Sequence, residues 1–177
     1  MTRQIILTSR LKLVPSTQAL LGLEMDDMQA FAKLLGASIA EDWPPGEYDR
    51  DAMQFFIDKL REGGADAEGW YGWYAIRQAT QTEPATLIGA GGYLGPPDQT
   101  GTVELGYSIS ERWRGQGLAQ ELVSALVDNA LKSGATKIIA HTGSDNPVSI
   151  AVLRRCGFRP APTTDSCRLQ FDYYPSF

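Results

Sequence analysis

The sequence contains very few of the side chains that metal sites and hydrolase triads require. Among 177 residues there are one histidine, His141, and two cysteines, Cys156 and Cys167. Structural zinc sites use sets of closely spaced Cys and His ligands, and these three residues cannot supply one. No G-x-S-x-G turn is present to expose a nucleophilic serine. We therefore predict no metal site and no triad hydrolase, and two isolated cysteines indicate a reducing, cytoplasmic compartment.

Long apolar runs and an excess of positive charge are also missing. No apolar segment approaches the roughly 20 residues of a membrane helix, and the apolar stretch at residues 5–7 is too short for a secretory signal. Asp and Glu total 21 against 16 Lys and Arg, a net charge of -5. Because general attraction to nucleic acid or anionic lipid needs positive charge, neither is an expected partner. An anionic ligand would have to be held by a local arrangement of donors.

The pattern along the chain predicts one α/β (α+β) domain over residues 1–177. Dividing the length by about 150 residues per domain gives one domain, and a hydrophobic content of 43% suffices for one core. Periodicity and turn residues predict a strand at 4–14, a helix from Ser16 to Gly36 with a break near 24–27, a helix from Arg50 to Gly63, strands at 70–77, 86–94 and 102–109, a helix at 117–133, a strand at 137–141, a helix at 146–156 and a strand at 168–173. This order favours a single sheet with helices on its faces.

The stretch between strand 102–109 and the following helix carries the chemical information. It reads Arg112-Trp113-Arg114-Gly115-Gln116-Gly117. Two glycines permit a sharp bend that brings backbone N–H groups near a ligand, and the helix start adds unpaired donors and a positive dipole end. Such a loop holds a diphosphate, with added contacts from the two arginines. The alternative is a turn that only connects strand and helix.

Two other phosphate-binding loops do not fit. A Walker A motif is absent, and the dinucleotide fingerprint G-x-G-x-x-G fails because Gln120 stands three residues after Gly117. The earlier cluster around Gly89, Gly91 and Gly92 fails in the same way, since position 94 is leucine. The alternative of a nucleotide-binding domain therefore lacks both of these motifs.

The pattern R-x-x-G-x-G, preceded by the strand ELGYSI, closely resembles the acetyl-CoA-binding motif of the GNAT superfamily of N-acetyltransferases. Residues 146–158, NPVSIAVLRRCGF, resemble the N-x-x-S…GF signature of its RimJ/RimL branch, which includes ribosomal-protein N-terminal acetyltransferases. The N-terminal LTSRLKLVPST resembles the first strand and turn of that branch. The resemblance implies a GNAT fold: a mixed, mostly antiparallel sheet of about six to seven strands, helices on both faces, and a parallel pair, 102–109 and 137–141, that splays apart.

Acetyl-CoA is the cosubstrate that this resemblance implies, with no metal. The pantetheine arm would pair with backbone in the splayed gap, backbone N–H groups after Trp113 would hold the diphosphate, and the Ile109 N–H would face the thioester oxygen. Asn146, followed by Pro147, is typical of a helix N-cap, and the resemblance implies that it also contacts the pantetheine region. The expected cofactor-binding residues are Tyr107, Ser108, Ile109, Arg112, Arg114, Gly115, Gln116, Gly117, Leu118, Ala119, Asn146 and Ser149.

The implied reaction is direct attack of a primary amine on the thioester, and it requires the neutral amine. An α-amino group is about 10% neutral at pH 7, and a lysine side chain less than about 0.1%. Glu104 is the leading candidate for the base, because strand alternation places it on the face opposite Val103 and Leu105. The alternative is that Glu104 has only a structural role. His141 is a second candidate for the base, and it too could be purely structural.

Protonation of the leaving thiolate departs from the common pattern. Many relatives carry a tyrosine seven residues after the Asn, and this chain has Leu153 there. Ser149 resembles the serine that the RimJ/RimL branch offers near the sulfur, where a hydrogen bond from its hydroxyl would stabilise the thiolate. The alternative is that the free thiolate takes its proton from water. We expect Glu104 and Ser149 to be the catalytic residues. Trp43, Tyr48 and Tyr93 are candidates for lining an acceptor pocket. The acceptor is a protein N-terminus or a small amine, a homodimer is left open, and the alternative function is a non-catalytic acyl-CoA-binding sensor.

Overall fold

A computed structural model describes residues 4–176. In chain order its elements are β1 (Ile6–Leu7), β2 (Leu11–Pro15), α1 (Gln18–Asp26), α2 (Met28–Leu35), β3 (Ser38–Ile39), α3 (Arg50–Gly63), β4 (Gly72–Arg77), β5 (Thr86–Tyr93), β6 (Thr102–Ile109), α4 (Leu118–Lys132), β7 (Lys137–Gly143), α5 (Pro147–Arg155), β8 (Arg159–Ala161) and β9 (Arg168–Tyr173). Short 3-10 turns follow α3 and β6, at Gly64–Ala67 and Glu111–Trp113.

All the strands belong to one mixed sheet. Its order is β1-β2-β4-β5-β6-β7-β9-β8, with β3 beside β5. Only the pairs β6–β7 and β3–β5 are parallel among those described. The mostly antiparallel GNAT-type sheet with one central parallel pair is confirmed. It has nine strands rather than the predicted six to seven, because β1, β3 and β8 have two or three residues and are too short to show an alternating pattern.

Two predicted elements near the N-terminus are each divided in two. The strand predicted at 4–14 is the antiparallel pair β1–β2, in which Ile6 lies opposite Leu13. The helix predicted at 16–36 is α1 followed by α2, broken at Asp27 within the expected region. Thr17 caps α1, and the predicted cap Ser16 is instead buried and donates its hydroxyl to the carbonyl of Gly72.

Helices pack on both faces of the sheet, as predicted. On one face Tyr93 of β5 donates its hydroxyl to the carbonyl of Leu126 in α4. On the other face Tyr74 of β4 contacts α1 and α2, donating to Glu24 and packing edge-on against Phe31. Within residues 4–176 no helix is long and apolar enough to cross a membrane, and no group of three or more His, Cys, Asp or Glu is placed to hold a metal ion.

Candidate active site

The parallel strands β6 and β7 separate in the middle of the sheet. They pair from Thr102 opposite Lys137 to Leu105 opposite Ala140, and β7 then continues beside β9. The rest of β6, residues 106–109, therefore faces a gap on this side while it stays paired with β5.

The backbone groups that face this gap follow from the strand register. The N–H of Ser110 bonds to Ile88 of β5, and the carbonyl of Glu104 accepts from Leu94. Because backbone direction alternates along a strand, even-numbered residues of β6 point toward β5 and odd-numbered ones toward β7. Tyr107 and Ile109 thus direct their N–H and C=O groups into the gap. Ser108, expected to pair there, directs its own toward β5.

The glycine loop leads from this gap to α4. Gly115 and Gly117 have φ values of 73° and 78°, the left-handed region in which a side chain is strained. Gly117 caps α4 without a side-chain hydrogen bond. The N–H groups of the first helical turn have no acceptor within their own helix. This loop can therefore present several backbone donors to one anion.

A cleft of about 390 Å³ lies between the loop and α5. The loop wall comprises Ile109, Trp113, Arg114, Gly115, Gly117, Leu118, Ala119 and Gln120, and the α5 wall comprises Pro147, Val148, Ala151, Val152 and Arg155. Six of the residues predicted to bind the cofactor are not among those that line this cleft: Tyr107, Ser108, Arg112, Gln116, Asn146 and Ser149. Arg112 lines a second cleft of about 540 Å³ with Asp42 and Glu83.

Arg114 does not extend freely into solvent. Its Nε donates to the carbonyl of Ile109 at 2.8 Å, so the side chain folds back over the end of β6. The guanidinium still lines the cleft and carries further donors. This contact places a positive charge where the gap meets the glycine loop.

Two hydroxyl groups meet where β6 faces α5. Asn146 caps α5 by accepting the Ser149 N–H at 3.1 Å, which fixes the first helical turn. The Ser149 hydroxyl lies 3.0 Å from the Tyr107 hydroxyl. Burial raises the pKa of Tyr107. Leu153 is fully buried, so the position where many relatives carry tyrosine belongs to the core here.

Glu104 lies on the face of the sheet opposite the Tyr107–Ser149 contact, and its neighbours there are His141 and Arg168. Its carboxylate is 2.7 Å from Nδ1 of His141 and 3.4 Å from the guanidinium of Arg168. His141 follows Ala140, the last β7 residue paired with β6, so the Glu104–His141 pair stands where the gap opens. Sequence reasoning considered Glu104 and His141 separately and missed Arg168, because nothing local signals that β9 lies beside β7.

The loop at residues 40–48 approaches the same face. A Cβ at Gly46 would come within 2.5 Å of the Ser108 hydroxyl, so the loop lies directly on β6. Trp43 and Tyr48 each donate to the buried carboxylate of Glu24 at 2.9 Å. Burial raises the pKa of Glu24, against the opposing effect of its hydrogen bonds.

The three aromatic residues predicted to line an acceptor pocket do not lie on the same face of the sheet. Trp43 and Tyr48 lie on the Glu104 face but direct their polar groups to Glu24. The prediction for Tyr93 is wrong, because its ring is fully buried and its hydroxyl reaches α4 on the opposite face.

Comparison with known proteins identifies the family. Residues 19–159 match the family profile described as acetyltransferase (GNAT) domain. A curated relative, the uncharacterized N-acetyltransferase YjdG of Bacillus subtilis (strain 168), is 26% identical over 152 residues, 85% of this chain and 87% of the relative.

Solved structures share the fold at low sequence identity. The ribosomal-protein-S5-alanine acetyltransferase of Vibrio fischeri has a TM-score of 0.64 and 14% identity, covering 97% of each chain. RimL, a ribosomal L7/L12 alpha-N-protein acetyltransferase in complex with coenzyme A, has a TM-score of 0.64 and 16% identity, covering 97% of this chain and 98% of that one. Both agree with the resemblance to the RimJ/RimL branch. The chain belongs to the GNAT acetyltransferase family and is an acetyl-CoA-dependent acyltransferase.

Proposed function

We propose that this protein transfers an acetyl group from acetyl-CoA to a primary amine by direct attack within a ternary complex. The observation that carries the proposal is the gap between β6 and β7, which runs from the glycine loop to the Glu104–His141 pair. A thioester arm lying in this gap would have its diphosphate at one end and a proton acceptor at the other. The nine strands form one sheet, and we treat residues 1–177 as one domain.

The residues present fit acetyl-CoA. The backbone of Tyr107 and Ile109 would bind the pantetheine arm, and N–H groups from Gly115 to Ala119 would bind the diphosphate. Arg114 would add a charge-assisted contact at their junction. The backbone groups of Ser108 are paired with β5, so its side chain, on the same face of the sheet as Glu104, is the part of this residue that would contact bound acetyl-CoA. Asn146 would act indirectly, by fixing the helical turn that holds Ser149. When bound, acetyl-CoA supplies a thioester whose carbonyl carbon accepts the amine while the carbon–sulfur bond breaks.

Each proton in this reaction has a proposed donor or acceptor. Glu104 takes the proton that the attacking nitrogen loses, with His141 as its hydrogen-bonded partner. The Ile109 N–H donates to the carbonyl oxygen, on which negative charge develops. The Ser149 hydroxyl, beside the Tyr107 hydroxyl, donates a hydrogen bond that stabilises the departing thiolate. The thiolate then takes its proton from water, because this chain has Leu153 where many relatives carry a tyrosine.

Two observations favour a protein α-amine as the acceptor, with a small amine as the second candidate. At neutral pH an α-amino group is far more often neutral than a lysine side chain. The solved relatives named above are described as acetyltransferases of ribosomal proteins. The net charge of -5 is compatible with a cationic acceptor.

A mass-spectrometric screen tests this function. Peptides with free N-termini, matched N-blocked peptides that contain lysine, and small amines are incubated with acetyl-CoA, and products heavier by about 42 Da are sought. We expect the free N-termini to react first. Tight acetyl-CoA binding without turnover on any amine would instead favour the non-catalytic sensor, for which the absence of tyrosine at Leu153 is the supporting observation.

A further inference from the structure

The turn between β1 and β2 contacts the start of α4, far away in sequence. The Thr8 hydroxyl and the Arg10 backbone N–H both donate to Oε1 of Glu121, at 2.6 and 2.7 Å. The Arg10 side chain donates through Nε to Oε2 of the same carboxylate at 2.7 Å. Gln78 holds the turn from the other side by donating to the carbonyls of Thr8 and Leu11. The position of Arg10 is therefore set by its neighbours.

Arg10 also reaches the glycine loop itself. Its Nη1 donates to the carbonyl of Gln116 at 2.8 Å. In a trans peptide the carbonyl and the following N–H point in opposite directions, so this bond turns the N–H of Gly117 away from Arg10. Gly117 lines the cleft and Gln116 does not. The contact thus fixes the orientation of one peptide group in the cleft wall, with its N–H directed away from Arg10.

The same side chain offsets a negative charge at the loop. Glu121 lies in the first turn of α4, and its side chain is only 15% exposed. Burial raises the pKa of Glu121, but hydrogen bonds from Thr8 and Arg10 and the guanidinium charge together hold it below its ordinary value. An ionised carboxylate this close to the helix start would repel a diphosphate if it had no cationic partner.

We propose that Arg10 is a positioning residue for the diphosphate of acetyl-CoA, acting by orienting the 116–117 peptide and neutralising Glu121. The inference rests on the proposed function, because it assumes that the glycine loop binds this diphosphate. Arg10 touches the loop and not the reacting atoms, so its effect is on cosubstrate affinity rather than on the acyl-transfer step.

Calorimetric titration of the full chain with acetyl-CoA tests the proposal. We expect Arg10→Ala to weaken binding about 10- to 100-fold, the range for loss of a charge-assisted hydrogen bond that leaves a charge unpaired. The matched control is Arg61→Ala, which removes an exposed arginine paired with Asp58 on α3 and should bind like the parent. If Arg10→Ala unfolds the protein, Arg10→Lys replaces it, with an expected weakening of about 3- to 10-fold.

The double variant Arg10→Ala/Glu121→Gln tests whether Arg10 acts on the diphosphate site or only stabilises the fold. It removes the repelling charge at position 121 without restoring any contact that the Arg10 side chain made, so acetyl-CoA should bind it more tightly than the single variant. The difference in acetyl-CoA affinity between Arg10→Ala and the parent should also become smaller at high salt, because salt screens the charge on Glu121. Parent-like affinity in the single variant, or no recovery in the double variant, would overturn the role of Arg10. Failure of the parent itself to bind acetyl-CoA would instead contradict the proposed function.

Discussion

The hydroxyl groups of Tyr107 and Ser149 lie 3.0 Å apart and join β6 to the first turn of α5. Because Leu153 is buried and apolar and cannot donate, we propose that this pair stabilises the departing thiolate through a hydrogen bond from Ser149. Ser149→Ala should lower kcat about 10-fold and leave KM for acetyl-CoA nearly unchanged, since the lost contact is made as charge develops on sulfur. Tyr107→Phe should have a smaller effect in the same direction. Steady-state kinetics with Ser124→Ala, an exposed α4 serine, as control would show this, and a parent-like kcat in Ser149→Ala would exclude the assignment.

Substitution of Glu104 should make the reaction more dependent on pH. As pH rises the acceptor amine becomes neutral without help, so Glu104→Gln should lower kcat most at low pH and progressively less toward the pKa of the amine. The measurement is a pH–rate profile beside Glu62→Gln, which changes an exposed α3 carboxylate. A profile parallel to that of the parent would remove Glu104 from the role of base.

Coenzyme A binding should be lost when the second glycine of the loop is replaced. Gly117→Val forces a branched side chain into the left-handed region at φ 78° and places its Cβ 3.4 Å from the Arg10 guanidinium. We expect calorimetry to detect no binding while circular dichroism remains that of a folded protein. Gly36→Val is the matched control, because Gly36 also has a left-handed φ, 71°, but caps α2 and is not among the residues that line the cleft. Equal coenzyme A affinity in Gly117→Val and the parent would refute the loop assignment.

The buried carboxylate of Glu24 should contribute to stability in a pH-dependent way. The folded protein raises the pKa of Glu24 above 4.5, so its contribution is complete below that pH and is lost as pH rises through the folded-state pKa. Glu24→Gln should cost about 1–3 kcal/mol, because an amide N–H would face one of the tyrosine or tryptophan donors. Urea titrations at a series of pH values should show this difference in unfolding free energy shrinking as pH rises above 4.5. A difference that grows as pH rises above 4.5 would contradict the raised pKa of Glu24.

The elements predicted best are those whose sequences carry both a periodicity and end signals. Helix α4 has a broad apolar face and lies between Gly117 and Gly134, and its observed bounds differ from the predicted ones by one residue at each end. The β1–β2 reversal was missed because residues 8–10 contain neither glycine nor proline, so the turn is stabilised by Thr8 and Gln78 rather than by backbone preference.

The site was predictable where it is local in sequence. The glycine loop and the Asn146 cap are encoded within a few residues, and each has a recognisable pattern. The contacts of Glu104 with Arg168 and of Arg10 with Glu121 join residues 64 and 111 positions apart. Such contacts depend on which strands become neighbours, and periodicity carries no information about that.

The separation of β6 from β7 leaves an interior strand with a stretch of open edge. The unpaired N–H and C=O groups of an open strand edge can form hydrogen bonds with another extended chain, and here that chain need not be a polypeptide. An acyl-pantetheine arm with its amide groups would act as a short additional strand that completes the hydrogen bonding of the sheet. Amide hydrogens of Tyr107 and Ile109 would then exchange with solvent slowly only in the loaded protein, and the ligand would raise the melting temperature by becoming part of the sheet.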